Sequence, residues 1–363
     1  MKLMLLAAAI AVSACAQSTF NGRPAVLLDG QAAQAVVDLG GGSIVEFQFK
    51  DRHLNPLSWN SEEPAAARPM GHFLCLDRWG APSDAESRNG MPFHGEASHV
   101  NWRIVREPRL DGSSIRAEMA ATLPLAGFEV TRRIQLAGSA ALLRVSESVT
   151  NTRKLGRVYN MVQHPSIAPP FLDETTLVDA NARRGFMQSS PLPNPEEPPV
   201  WWPQALHDGQ PENLRRLTND DKPEVVSFTI DGEYGWVTAA NAAAGLLIGY
   251  IWRTSDYPWL DIWRNVQNGK PVARGLEFGT TGLHQPEAIL VAKGKIFGRP
   301  IYDYIDAGQT RTRSYAAFLF KIPADYRGVE RITYESGRLV LHERDATPER
   351  DLTMTSSDLF ADR

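Results

Sequence analysis

The sequence predicts an all-β protein, and three observations carry that reading. Short runs of alternating or β-branched residues recur from Ala25 to Tyr334, separated by Gly, Pro, Asn and Asp clusters that act as turn signals. No long stretch of the presumptive mature chain holds the 3.6-residue apolar period of an amphipathic helix. No shift in composition marks a boundary, so residues 24–345 read as one domain, of a size that β folds fill as a single unit.

In chain order, the first element is a leader. Lys2 precedes the apolar run Leu3–Val12, which is too short to span a bilayer as a helix and has the charged-then-apolar layout of an export signal. Residues 1–16 are therefore expected to be a signal peptide. Val12-Ser13-Ala14-Cys15 has the form of a lipobox, which would make Cys15 a lipidated first residue. Ala14-Cys15-Ala16 also fits ordinary cleavage between small residues. Both readings place the mature chain in the periplasm or cell envelope, with a membrane partner only through a lipid on Cys15. Only Cys75 remains besides Cys15, so no internal disulfide is expected, and Cys75 reads as a small buried hydrophobe.

Strand signals follow. Ala25–Leu28 ends in the turn Asp29-Gly30, and Gln34–Leu39 is joined to Ser43–Phe49 by three glycines, a hairpin pattern. Asn101–Arg106 is next, and Ile115–Leu123, Phe128–Leu136 and Leu142–Thr150 read as a meander. Val158–Val162 leads into Gln163-His164-Pro165. Between Pro191 and Asp221 prolines crowd around Trp201-Trp202, which forbids a central strand. An ordered loop walling a cleft is expected there. Val225–Ile230, Tyr234–Thr238, Gly245–Trp252, Trp259–Trp263, Phe318–Ile322 and Val329–Tyr334 complete the strands. The polar stretch 346–363 is expected to be a loose tail.

Composition narrows the function. The formal charge is -4 with no basic block, which argues against nucleic acid as a partner, because phosphate binding needs clustered Lys and Arg. Nine Trp and nine Tyr supply flat rings that suit the C–H faces of sugars or fill a β core. No Gly-x-Ser-x-Gly elbow and no Gly-x-Gly-x-x-Gly turn occurs, so no nucleotide cofactor is expected. His94 and Glu96 share a strand face while His99 does not. That spacing matches no His-Glu-x-x-His or Cys/His zinc pattern, and no metal is expected.

Ionisable residues cluster in three places: Asn89-Gly90-Met91-Pro92-Phe93-His94-Gly95, Gln163-His164-Pro165, and Gly275-Leu276-Glu277. With the strand end Val149-Thr150-Asn151-Thr152, their order resembles that of the aldose 1-epimerase (galactose mutarotase) superfamily over roughly residues 25–325. The resemblance implies a large β-sandwich, the galactose mutarotase-like supersandwich, and a carbohydrate substrate. It implies Glu277 as general base, His164 as general acid and His94 as a hydrogen bonder near the sugar ring oxygen. Asn89 belongs to the first of these motifs, as a sugar-binding candidate. Ring opening at an anomeric carbon needs one group to take the hydroxyl proton and one to protonate the ring oxygen, a task suited to a carboxylate and an imidazole. Asp261 and Arg78 are candidates for gripping sugar oxygens, and Trp201 and Trp202 for walling the cleft. His72 reads as a core or edge residue. Two other readings stay open: a glycan-binding envelope protein without catalysis, and a lyase or other epimerase of the same fold acting on oligosaccharides or uronic acids. The run Phe278–Pro286 departs from the polar-Pro-Asp pattern that follows the family's glutamate.

Overall fold

The computed structural model describes residues 18–207, 209–216, 224–356 and 358–360; the expected signal segment and Cys15 lie outside them. Two antiparallel sheets form a sandwich. The larger one has twelve strands. Its middle runs His72–Asp77, Arg157–Ile167, Lys270–Gly279, Trp259–Gln267 and Glu224–Ile230, each bonded to the next. The second sheet has eight strands and contains the expected meander, seen as Ser114–Leu123, Phe128–Ala137 and Leu142–Asn151 in continuous register.

Alternation explains how the sheets meet. Side chains along a strand point to opposite faces in turn. Leu74, Leu76, Leu260, Ile262, Leu276 and Phe278 all face the second sheet and join one core with Met119, Val130, Val145 and Tyr250. Phe278 stacks on Trp252 at 4.2 Å and 5°. The residues between them, Phe73, Cys75, Asp261 and Glu277, therefore share the other face of the large sheet. That face carries the site.

Three expectations need correction. The strand bearing His164 does not stop at Val162 but continues to Ile167, with Pro165 opposite His72. A proline is tolerated there because the ladder to Lys270–Gly279 pairs Gln163 with Phe278 and next Ser166 with Gly275, passing over His164 and Pro165. The C-terminal stretch is not loose over its described residues, which end at Phe360. Leu352–Thr355 pairs with Arg338–Glu343, Leu359 and Phe360 are buried, and Phe360 stacks on Tyr234 at 5.7 Å. The proline-rich stretch is only partly irregular. Val200–Trp201 adds to the outer edge of the large sheet, where proline-rich neighbours do no harm, and Gln204–His207 pairs with Gln210–Asn213. Among the described residues two short α-helices, Asp84–Arg88 and Glu287–Lys293, punctuate the strands; the first starts with a Ser83/Glu86 capping box.

Candidate active site

One row of side chains crosses the exposed face of the large sheet. His164 is a neighbour of Phe73 across one strand pair, and Glu277 is the cross-strand partner of Asp261, which in turn faces Ser227. His164 Nε2 lies 3.2 Å from Glu277 Oε1. The other carboxylate oxygen, Oε2, accepts a hydrogen bond from Trp79 Nε1–H at 2.7 Å. His164 Nδ1 meets Ser166 Oγ at 3.0 Å, and Phe73 stacks against the imidazole at 4.2 Å. Both ring nitrogens and both carboxylate oxygens are thus positioned by neighbours.

His94 arrives from a loop. Its residue sits at φ 64°, and the next, Gly95, at φ 77°. A Cβ on Gly95 would come within 2.2 Å of the Leu76 carbonyl oxygen, so the glycine of the His-Gly pair is what lets this loop lie against the strand end. The Gly80 N–H donates to His94 Nδ1 at 3.0 Å, and His94 N–H donates to the Gly80 carbonyl at 2.9 Å. Nδ1 is therefore the acceptor, and Nε2 of the neutral ring carries the proton. The His94 and His164 rings lie 5.3 Å apart.

Burial sets the electrostatics. It holds His164 down to about 3 and His284 down to about 4. It holds His94 well below the usual imidazole value, helped by the neighbouring His164, His284 and His99. The same loss of water pushes Glu277 well above the carboxylate range, reinforced by Asp261 and opposed by the Trp79 hydrogen bond. Asp261 is raised by burial as well, with Ser227 opposing. Dry surroundings disfavour every charged form, and carboxyl and imidazole respond in opposite directions.

Glu277 and the three imidazoles of His94, His164 and His284 line a cleft of about 890 Å³. Glu277, His164 and His94 meet in it as expected. Trp79, Trp59, Trp263 and His284 line it too, and no local motif marks them. Trp59 belongs to the connection 58–63, which forms one wall. The other candidates do not line the cleft. Arg78 is buried in an ion cluster, 3.1 Å from Asp77 and 2.7 Å from Glu86, where it ties the first helix to the sheet. Asn89 is the exposed C-cap of that helix. Asp261 is 0% exposed and stands behind Glu277 instead of in the cleft surface. Trp201 is 57% exposed, and Trp202 packs edge-on against Phe228 at 5.4 Å. The proline-rich stretch puts them at the sheet edge. His72 lies on the core face, 3.1 Å from Gln163. His99 Nε2 faces Glu63 at 3.3 Å, and Glu96 accepts the N–H groups of Leu125 and Ala126. Among the described residues no group of three or more His, Cys, Asp or Glu is arranged to hold a metal ion.

No protein-family model matches the sequence, and no curated protein does. Solved structures do match by shape. A galactose mutarotase-like protein from Clostridium acetobutylicum superposes with a TM-score of 0.59 at 12% identity, over 83% of this chain and 96% of that one. A galactose mutarotase related enzyme from Lactobacillus acidophilus gives 0.58 at 13%, over 82% and 98%. A galactose mutarotase-like protein from Lactobacillus casei gives 0.56 at 14%, over 82% and 100%. With two antiparallel sheets stacked around one core and these neighbours in shape, the chain has the galactose mutarotase-like β-sandwich fold.

Proposed function

We propose that the protein binds carbohydrate and opens and recloses a sugar ring at its anomeric carbon. The observation that carries this reading is the contact of 3.2 Å between His164 Nε2 and Glu277 Oε1 on the floor of a walled cleft. In the forward step the proton that the pair shares stands on His164 Nε2, across the 3.2 Å contact, and the Glu277 carboxylate takes the proton from the anomeric hydroxyl. The C1–O1 bond becomes a carbonyl, the C1–O5 bond breaks, and O5 receives a proton from His164. Rotation about C1–C2 and the reverse proton movements close the ring with the other configuration. His94 Nε2–H supplies a fixed hydrogen bond to a sugar oxygen. The test is anomer exchange followed by NMR across free aldoses. Acceleration over the spontaneous rate supports the reading; none for any sugar leaves a binding protein.

The pH profile follows from the shared proton. Resting Glu277 and His164 hold one proton between them, so they titrate as a pair. A second proton joins only as pH falls toward the His164 value of about 3. The shared proton is lost as pH rises through the elevated Glu277 value. After subtraction of the spontaneous rate, the catalysed rate is expected to show no acid limb near the ordinary imidazole value of about 6.5, to fall on the acid side only toward about 3, and to fall on the alkaline side as Glu277 loses its proton. An acid limb near that ordinary value would refute the paired titration.

We further propose export with a lipid on Cys15, supported by the lipobox-like Val12–Cys15. Radiolabelled palmitate is expected to enter the wild-type chain and not a Cys15→Ser variant. Equal labelling of both would remove the anchor.

A further inference from the structure

The cleft is longer than the acid–base pair requires, and its chemistry is one-sided. From Glu277 it follows the Lys270–Gly279 strand to Val272, and along the neighbouring strand it passes Trp263 and Asn265 to Gln267. Five residues of strand at ~3.3 Å each make about 17 Å, well beyond one pyranose ring. Between Glu277 and Val272 the same face offers Gly275, where a Cβ would stand 2.5 Å from Glu277 Oε1 and 3.0 Å from the Trp263 Cβ. The absent side chain makes room for the Glu277 carboxylate to lie along the strand beside Trp263.

Two half-buried tryptophans border that extension. The Trp59 ring lies 5.8 Å from Trp263, edge to face, and 5.8 Å from Phe73, stacked. Trp263 also reaches the His164 ring at 5.9 Å, so the aromatic border is continuous with the reacting centre. The carboxyl groups in the lining are those of Glu62, Glu63 and Glu277, and among the described residues no Lys or Arg lines the cleft. Arg78 and Arg264 are committed to Glu86, Glu212 and Glu224 away from it. A sugar phosphate or uronate would meet carboxylates and no cation to match it.

Building on the anomeric reading above, we infer that the substrate is an uncharged oligosaccharide. Its reducing-end ring sits over Glu277 and His164, and at least one further sugar ring lies along Trp59 and Trp263. Ring faces stacked on indole bury apolar C–H surface, and Asn265 and Gln267 at the far end offer amide donors and acceptors to hydroxyls.

The test is calorimetric titration of the Glu277→Gln variant, which reports binding without turnover. The probes are glucose, cellotetraose, maltotetraose, chitotetraose, glucose 6-phosphate and glucuronic acid. At least one neutral tetrasaccharide is expected to bind about tenfold or more tighter than glucose, with both charged sugars weaker than glucose. In a Glu277→Gln/Trp263→Ala double variant of unchanged circular dichroism, the ratio of tetrasaccharide to glucose affinity is expected to collapse toward one. Equal affinity for glucose and all three tetrasaccharides, or tighter binding of a charged sugar, would overturn the inference. A chain-length gain with no anomer exchange in the wild type would retain it and remove the enzymatic reading instead.

Discussion

Replacing Glu277 with glutamine is expected to lower catalysed anomer exchange by about 10²- to 10⁴-fold, the range over which a positioned acid or base acts, while the fold survives. The amide keeps the shape of the carboxylate, and its oxygen can still accept the Trp79 N–H that now holds Oε2 at 2.7 Å. It cannot take a proton from an anomeric hydroxyl. Stability should not follow activity downward. The fold raises the Glu277 pKa above its unfolded value. Its contribution is therefore present below the unfolded value and lost as pH rises through the folded one. The amide has no such loss and does not repel Asp261. At pH 8 the variant is expected to melt no lower than wild type in calorimetry, while exchange measured by NMR is gone. Retained exchange would remove Glu277 from the reaction, and a large drop in melting temperature would make the activity loss uninformative.

The largest stability effect is expected between the two sheets, where the second sheet meets the core side of the His164 strand. Arg132 and Glu147 are 2.7 Å apart and essentially without solvent. Arg132 also donates to the Gly42 carbonyl and lies over the Trp102 ring at 4.5 Å. Glu147 Oε2 accepts from Gln163, whose own carbonyl oxygen faces His72. Glu147→Ala would leave a buried guanidinium without its counter-charge, a change that costs about 3–5 kcal/mol. Denaturant unfolding is the measurement. An Arg132→Met/Glu147→Leu double variant is expected to recover most of the loss, since it removes both charges and restores the volume. If the single variant loses less than about 1 kcal/mol, the scale of an exposed pair, the pair is solvated in solution. Gln163 precedes His164 in the chain, so the single variant is also expected to weaken exchange.

Much of the fold was legible because β structure writes itself into alternation. Ala117, Met119 and Ala121, and on the next strand Val130 and Ile134, recur at the even spacing that one face requires, and the structure places them in the core. Pro165 reads as a stop for the strand carrying His164, and only the gap in its ladder partner shows why it is not one. His94, His164 and Glu277 were recognisable from dipeptides in the right order. The residues that shape them were not. Trp79 touches Glu277 across 198 positions of sequence, and His284 reaches the cleft beside Gly80. Such partners depend on how strands are ordered in the sheet, which no local pattern encodes. Arg78 misled for the same reason: its partner Glu86 sits on a short helix whose docking is a tertiary event.

The division between strand and loop in the cleft has an evolutionary consequence. The reacting pair stands on paired strands of the large sheet, whereas the wall at 58–63 is a connection with few backbone obligations. Loops accept substitution and insertion more readily than the elements they join. On the proposed reading, substitutions at a handful of wall positions would change which glycan is held while leaving the strand-borne Glu277 and His164 in place.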